Sequence, residues 1–192
     1  MIFTIYDLEA TDKNPKTASP IEMAYINVNE NLEVVESRDM YFSDSTIPES
    51  KPEALALHGM SRASLLKYAP EFEANCRTMF RLFYRGNLVG FNNKAFDDHL
   101  CVYFLERQGY DEMRVDTTRD LMHLLRPVFG KAPKLADALA HFGITHEFIE
   151  MMTKIYFAND VERLRPHNAA YDATATLLLL AKCKQKNIIT LQ

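Results

Sequence analysis

The first segment of the chain constrains it most. From Phe3 to Glu9, Phe3, Ile5 and Asp7 fall on one face and Thr4, Tyr6 and Leu8 on the other. A period of two reads as a β-strand, in which residues two apart share a face. Asp7 and Glu9 therefore stand side by side on a face that is otherwise apolar. Two such carboxylates repel each other and lose hydration, so a fold that keeps them needs compensating cations. Oxygen ligands of this kind suit Mg²⁺ or Mn²⁺. An Asp-x-Glu pair is also common at strand ends that meet solvent, so it decides nothing alone.

The strand opens a meander. Ile21–Val28 and Glu33–Phe42 read as the next two strands, joined through Asn29-Glu30-Asn31. Helical segments follow: Glu53–His58 with Gly59 as C-cap, a piece capped by Ser61, and an amphipathic stretch from Pro70 to Arg85 stopped by Gly86. Leu88–Phe91 is a short buried strand, and Phe96–Gln108 a helix ended by Gly109. The spacing predicts a fifth strand over Arg114–Thr117, helix over Thr118–Leu125 broken by Pro127, and a helix over Lys134–Phe142 closed by Gly143. Phe148–Arg163 is amphipathic without a sharp period, and Asn168 caps a final helix over Ala169–Lys186. A meander followed by alternating strand and helix indicates an α/β fold, with a mixed sheet flanked by helices. With 192 residues, no repeat and no boundary, residues 1–192 read as a single domain.

Two further motifs carry chemistry. In Asn93-Lys94-Ala95-Phe96-Asp97, a turn after a buried strand places Asp97 in the first turn of a helix, where the dipole favours a carboxylate. In His167-Asn168-Ala169-Ala170-Tyr171-Asp172, the cap at Asn168 leaves His167 on the preceding loop and Asp172 one turn inside. Each motif alone reads equally as an ordinary helix start. Together, four carboxylates and one histidine are the parts of a two-metal phosphodiesterase, with a neutral imidazole to take the proton of water.

Composition narrows the field. A net charge of −4 speaks against a grip on a long duplex and allows a cleft holding a few nucleotides. The N-terminus shows no signal peptide, and Leu177–Ala181 is too short to span a bilayer, which predicts a cytoplasmic protein with no membrane partner. Cys76, Cys101 and Cys183 form no CxxC pair and read as reduced thiols without catalytic work.

The motifs DLE, NKAFD and HNAAYD resemble the three motifs of the DEDDh 3′→5′ exonucleases, and the likeness extends over nearly the whole chain. Within that superfamily the chain looks most like the nuclease domain of bacterial exodeoxyribonuclease I. Pro52-Glu53-Ala54-Leu55, His58-Gly59-Met60, Val89-Gly90-Phe91-Asn92-Asn93 and Asp172-Ala173-Thr174-Ala175-Thr176 carry the finer resemblance. It implies a ribonuclease H-like fold whose five-stranded sheet is an antiparallel meander continued by parallel strands. It implies two Mg²⁺ ions, replaceable by Mn²⁺, held by Asp7, Glu9, Asp97 and Asp172, with His167 as general base. Glu9, Thr11, Met60, Asn93 and Lys134 would touch substrate, Lys134 at a phosphate and Met60 at the terminal base. The implied substrate is the 3′ end of single-stranded nucleic acid, with DNA favoured over RNA.

The likeness has departures. Exodeoxyribonuclease I continues into further domains that complete a ring around the strand, which leaves long-range processivity open here. Asp12 follows Ala10-Thr11 where relatives often carry glycine, and a carboxylate there would disfavour a nearby phosphate. An exoribonuclease of the same superfamily and a catalytically dead binding module are the competing readings. Loss of a ligand or of the histidine would mark the latter, and all five residues are present.

Overall fold

The computed structural model describes residues 1–113, 115, 117–157 and 165–189. Strands β1 (Ile2–Ala10), β2 (Pro20–Asn29) and β3 (Val34–Tyr41) form the expected antiparallel meander. The tight connection between β2 and β3 places Leu32 in the left-handed region at φ 65°. Helices α1 (Pro52–His58), α2 (Arg62–Leu65) and α3 (Phe72–Arg85) follow, then β4 (Leu88–Gly90) and α4 (Asp97–Arg107). Strand β5 (Arg119–Asp120), short helices α5 (Leu121–Leu124) and α6 (Arg126–Phe129), then α7 (Leu135–His141), α8 (His146–Tyr156) and α9 (Ala169–Gln185) complete the described chain.

The sheet order is β3-β2-β1-β4-β5, with β4 parallel to β1 and β5 parallel to β4. This is the mixed sheet flanked by helices that the sequence predicts. One placement differs. The fifth strand pairs at Arg119 and Asp120 rather than over 114–117, of which Arg114 and Asp116 lie outside the described residues. Asp120 makes the shift worthwhile: its Oδ1 accepts the N–H groups of Asn92 and of Met122, tying the turn after β4 to the start of α5. Pro127 does not end the helical region but sits in the first turn of α6, where its missing N–H costs nothing. Residues 158–163 of the vague amphipathic segment also lie outside the described residues.

The alternation in β1 sorts side chains into two cores. Phe3 and Ile5 pack with Ala24, Ile26 and Val28 of β2 beneath Leu177, Leu179 and Leu180 of α9. Tyr6 and Leu8 pack on the opposite face with Met79 and Phe83 of α3 and Leu100 and Phe104 of α4. Each fully buried Leu or Phe contributes roughly 1.5–3 kcal/mol of transfer free energy. Asp7 and Glu9 continue the Phe3–Ile5 row, so they emerge on the α9 face, at the carboxyl end of β1. Cys76, Cys101 and Cys183 are free and buried. No helix among the described residues is long and apolar enough to cross a membrane.

Candidate active site

The carboxyl ends of parallel β1 and β4 open at one edge of the sheet, where crevices in α/β folds form. Strand β1 delivers Asp7 and Glu9. After β4 the chain turns sharply through Asn92, at φ 63°, and a 3₁₀ turn over Asn93–Ala95 before α4 begins at Asp97. Gly90 makes the turn sterically possible, because a Cβ there would lie 2.7 Å from the Cβ of Asn93. Asn93 is buried, and its amide donates to both oxygens of Asp98 at 3.2 and 3.3 Å. Tyr6 and Thr118 hydroxyls donate to the same carboxylate. Asp98 is thus clamped from three directions, which fixes the first turn of α4 and the position of Asp97.

Helix α9 brings the third motif across the sheet. Asn168 caps it by accepting the N–H of Tyr171 at 3.1 Å. His167 has φ 63°, an uncommon conformation that histidine tolerates better than most residues. Its backbone N–H donates to Asp172 Oδ2 at 2.9 Å. Glu9, His167 and Asp172 each offer a ligand atom within 4.8 Å of the others.

Charge crowding is the dominant feature. Burial, then Asp172, Asp97, Glu9 and Glu22, holds the Asp7 carboxyl well above the ordinary range. Burial, followed by Asp98, Glu9 and Asp120, does the same to Asp97. Asp172 is pushed up to about 6 by burial, against the opposing pull of the His167 N–H. Among the described residues, Glu9, His167 and Asp172 bring ligand atoms together, Asp7 lines the same cleft, and Asp97, at the start of α4, is near enough for its charge to raise the Asp7 carboxyl but lines none of the clefts.

A cleft of about 400 Å³ opens over Asp7, Glu9, His167 and Asp172, with Phe91, Asn92, Met122 and Leu135 on its walls. Lys134 stands at its rim, exposed, at the N-cap of α7. The same lysine, with His167 and Asp172, borders a larger apolar groove of about 710 Å³ that includes Leu139, Ile149 and Tyr171. On the other side Glu9 and Leu8 lead into a cleft of about 380 Å³ bordered by Ala10, Leu57, His58, Phe96, Lys13 and Lys51.

Three of the sequence-predicted contacts sit elsewhere. Thr11 is 1% exposed, and its hydroxyl accepts the N–H of Ser19. Met60 is 5% exposed in the core with Tyr6 and Leu8. Asn93 is occupied with Asp98. None of the three borders the clefts described above. Asp12 differs from the electrostatic expectation: it pairs with Lys51 Nζ at 2.5 Å, a hydrogen bond that holds its carboxyl below the usual range and offsets its charge. Sequence reading missed Phe91, Met122 and Leu135 as wall residues, since apolar lining carries no spacing signal, and Asn92, which reads as an ordinary turn residue. It also missed Glu22, whose signal was its place as the lone carboxylate in Pro20–Val28.

A family model for exonucleases of the RNase T type matches residues 4–180. The chain belongs to this exonuclease family. The matched span contains Asp7, Glu9, Asp97, His167 and Asp172. A comparison with curated protein sequences finds no match. Among solved structures, one of exonuclease I superposes with a TM-score of 0.75 at 20% identity, covering 97% of this chain and 42% of that one. The zinc-bound complex of E. coli exonuclease I with single-stranded DNA gives 0.71 at 24% identity, over 96% and 40%. A moderately thermophilic exonuclease I from Methylocaldum szegediense gives 0.68 at 19% identity, over 96% and 40%. These likenesses establish the ribonuclease H-like exonuclease fold. The chain spans about two fifths of the length of those exonuclease I chains.

Proposed function

We propose that this domain is a metal-dependent 3′→5′ exonuclease that releases mononucleotides from single-stranded nucleic acid, with DNA as the favoured substrate. The observation that carries the reading is the convergence of Glu9, His167 and Asp172 within 4.8 Å in an open cleft, beside the raised carboxyls of Asp7 and Asp97. The preference for single-stranded DNA is supported by the complexes that E. coli exonuclease I forms with such strands.

The donor set fits divalent cations. Four carboxylates crowded on a buried face are unfavourable without positive charge, and oxygen donors match Mg²⁺ or Mn²⁺. Asp7, Glu9, Asp97 and Asp172 would hold two such ions. When bound, the ions would make water a stronger nucleophile and offset charge building on the phosphoryl oxygens.

The chain's own residues do the rest. The His167 imidazole, exposed at the cleft, accepts a proton from the attacking water. The water oxygen bonds to phosphorus as the bond to the 3′ oxygen of the penultimate nucleotide breaks, and that oxygen leaves with the shortened strand. Lys134 at the rim faces a phosphate and screens its charge from the carboxylates. Glu9 lies where the catalytic cleft joins the neighbouring one, a position suited to meeting the terminal 3′ hydroxyl. Leu8, Ala10 and Phe96 then offer that nucleotide's base an apolar wall.

End-labelled single-stranded DNA, duplex DNA, RNA and circular single-stranded DNA, each with Mg²⁺ and with chelator, test the reading. Stepwise loss of 3′ mononucleotides from linear single strands, abolished by chelator or by a 3′ phosphate, is expected. Equal cleavage of the circle would overturn the exonuclease assignment, and faster cleavage of RNA would overturn the choice of DNA.

A further inference from the structure

We infer that Glu22 is a positioning residue of the active site: its buried carboxylate grips the Asn168 side-chain amide and so seats His167 and Asp172 over the sheet. The inference rests on the reading of this cleft as a nuclease centre.

Glu22 is on β2, directly opposite Glu9 in the antiparallel register, so both side chains rise from the same sheet face. It is 0% exposed. Its neighbours on that face, Ala24, Ile26 and Val28, are the apolar residues that packing under α9 calls for. A carboxylate in that row is costly unless hydrogen-bonded, and it adds to the charge that already burdens Asp7. Burial without a task would favour an aliphatic side chain here.

The partner shows the task. Glu22 Oε1 accepts a hydrogen bond from Asn168 Nδ2, and Asn168 is itself 1% exposed. The opposite end of the same amide, Oδ1, accepts the N–H of Tyr171. Bonded at both ends, the amide has one permitted orientation: nitrogen to the sheet, oxygen to the first turn of α9. The residue before it is His167 and the residue four after it is Asp172. Without the anchor, the loop that holds His167 at φ 63° is tied to the sheet by neither end of this amide. Glu22 itself borders none of the three clefts described above, so it acts through Asn168 rather than on substrate or metal.

The pair can be inverted, which gives a specific test. Glu22→Ala removes the acceptor, and Asn168→Asp sets carboxylate against carboxylate while keeping the helix cap. In the double variant Glu22→Gln/Asn168→Asp, the introduced glutamine amide donates to the introduced aspartate, whose second oxygen still caps α9. Glu22→Gln alone keeps an acceptor and controls for folding. Kinetics on a single-stranded oligonucleotide and Mn²⁺ calorimetry without substrate are run on each folded variant. Glu22→Ala and Asn168→Asp are each expected to lose about 10–100-fold in kcat and in Mn²⁺ affinity, as supporting partners of metal ligands do. KM should stay within about threefold, because the groove contacts remain. The double variant should recover most of both losses. Single variants with wild-type kcat and Mn²⁺ affinity, or a double variant no better than Asn168→Asp, would overturn the inference. Wild-type protein that binds Mn²⁺ but cleaves no nucleic acid would instead defeat the proposed function, and the Mn²⁺ affinities would still decide the role of Glu22.

Discussion

The backbone N–H of His167 is bonded to the side chain of Asp172 at 2.9 Å. The contact links a loop residue to a helix residue five positions later. It uses main chain on one side, so the imidazole stays free to face the cleft. It also turns Asp172, one turn into α9, toward the loop and toward Glu9. The division matters for every substitution at position 167, because the contact that places Asp172 survives the loss of the imidazole.

His167→Ala and His167→Gln should therefore leave the fold and metal affinity largely intact while kcat falls. General base catalysis contributes typically 10²–10⁴-fold, and a loss of that order is expected for either variant. KM should change little. Turnover of His167→Gln equal to wild type at neutral pH would remove the base from the mechanism.

Asp172→Asn should abolish turnover in Mg²⁺ and raise the stability of the metal-free protein. The sign follows from the raised carboxyl. Asp172 titrates at about 6 when folded and at an ordinary 3.8 when unfolded. Below 3.8 it is protonated in both states and carries no penalty. As pH rises through this window the unfolded chain ionises first, so the folded state loses stability until about pH 6. A tenfold change in a protonation equilibrium is worth about 1.4 kcal/mol, so above pH 6 the variant should gain on the order of 1–3 kcal/mol. Denaturant melts in chelator at pH 4 and pH 7 measure this, and an equal unfolding free energy for wild type and variant at pH 7 would refute it. Adding Mg²⁺ should reverse the order, stabilising wild type more than the variant.

Gly90→Ala should damage the site from behind. Its Cβ would press on Asn93 at 2.7 Å, within the hydrogen-bond clamp on Asp98. Overpacking of this kind costs typically 1–3 kcal/mol. Displacement of Asp97 with α4 should lower kcat by about 10–100-fold, as expected when support for a metal ligand is lost. Wild-type kcat in a variant that melts early would confine Gly90 to stability.

Lys134→Ala should raise KM with little change in kcat. A hydrogen bond to a charged group is worth about 1.5–3 kcal/mol, which sets an increase of roughly 10–100-fold as the upper range for one phosphate contact. The dependence of kcat/KM on salt should flatten in the variant, because one fewer phosphate is neutralised. An unchanged salt slope would place Lys134 outside the path of the strand.

Much of this architecture follows from local rules that short stretches of chain obey by themselves. The alternation of Phe3, Ile5 and Asp7 is a property of strand geometry, and it already placed Asp7 and Glu9 on one face. Gly59, Gly86, Ser61 and Asn168 mark helix ends because αL residues and side-chain acceptors satisfy groups that helices leave open. The three motifs were legible for that reason, and so was their likeness to an exonuclease. The fifth strand was not, because Arg119–Asp120 pairs only where Val89 and Gly90 offer a parallel edge, and a two-residue strand has no period to detect.

Only the tertiary structure decided how the motifs meet. Asp7, Asp97 and Asp172 come from β1, α4 and α9, and burial raises the carboxyl of each, an effect of packing that no local pattern contains. Folding also settled which of the candidate residues face inward. Met60 and Thr11 went to the core, Asp12 found Lys51, and Glu22 was brought against Asn168 across 146 positions of sequence. Residue type and spacing determined which groups could bind cations and move a proton. Long-range packing decided which of them share a cleft, because the charge one carboxylate feels depends on distance in space and not on distance along the chain.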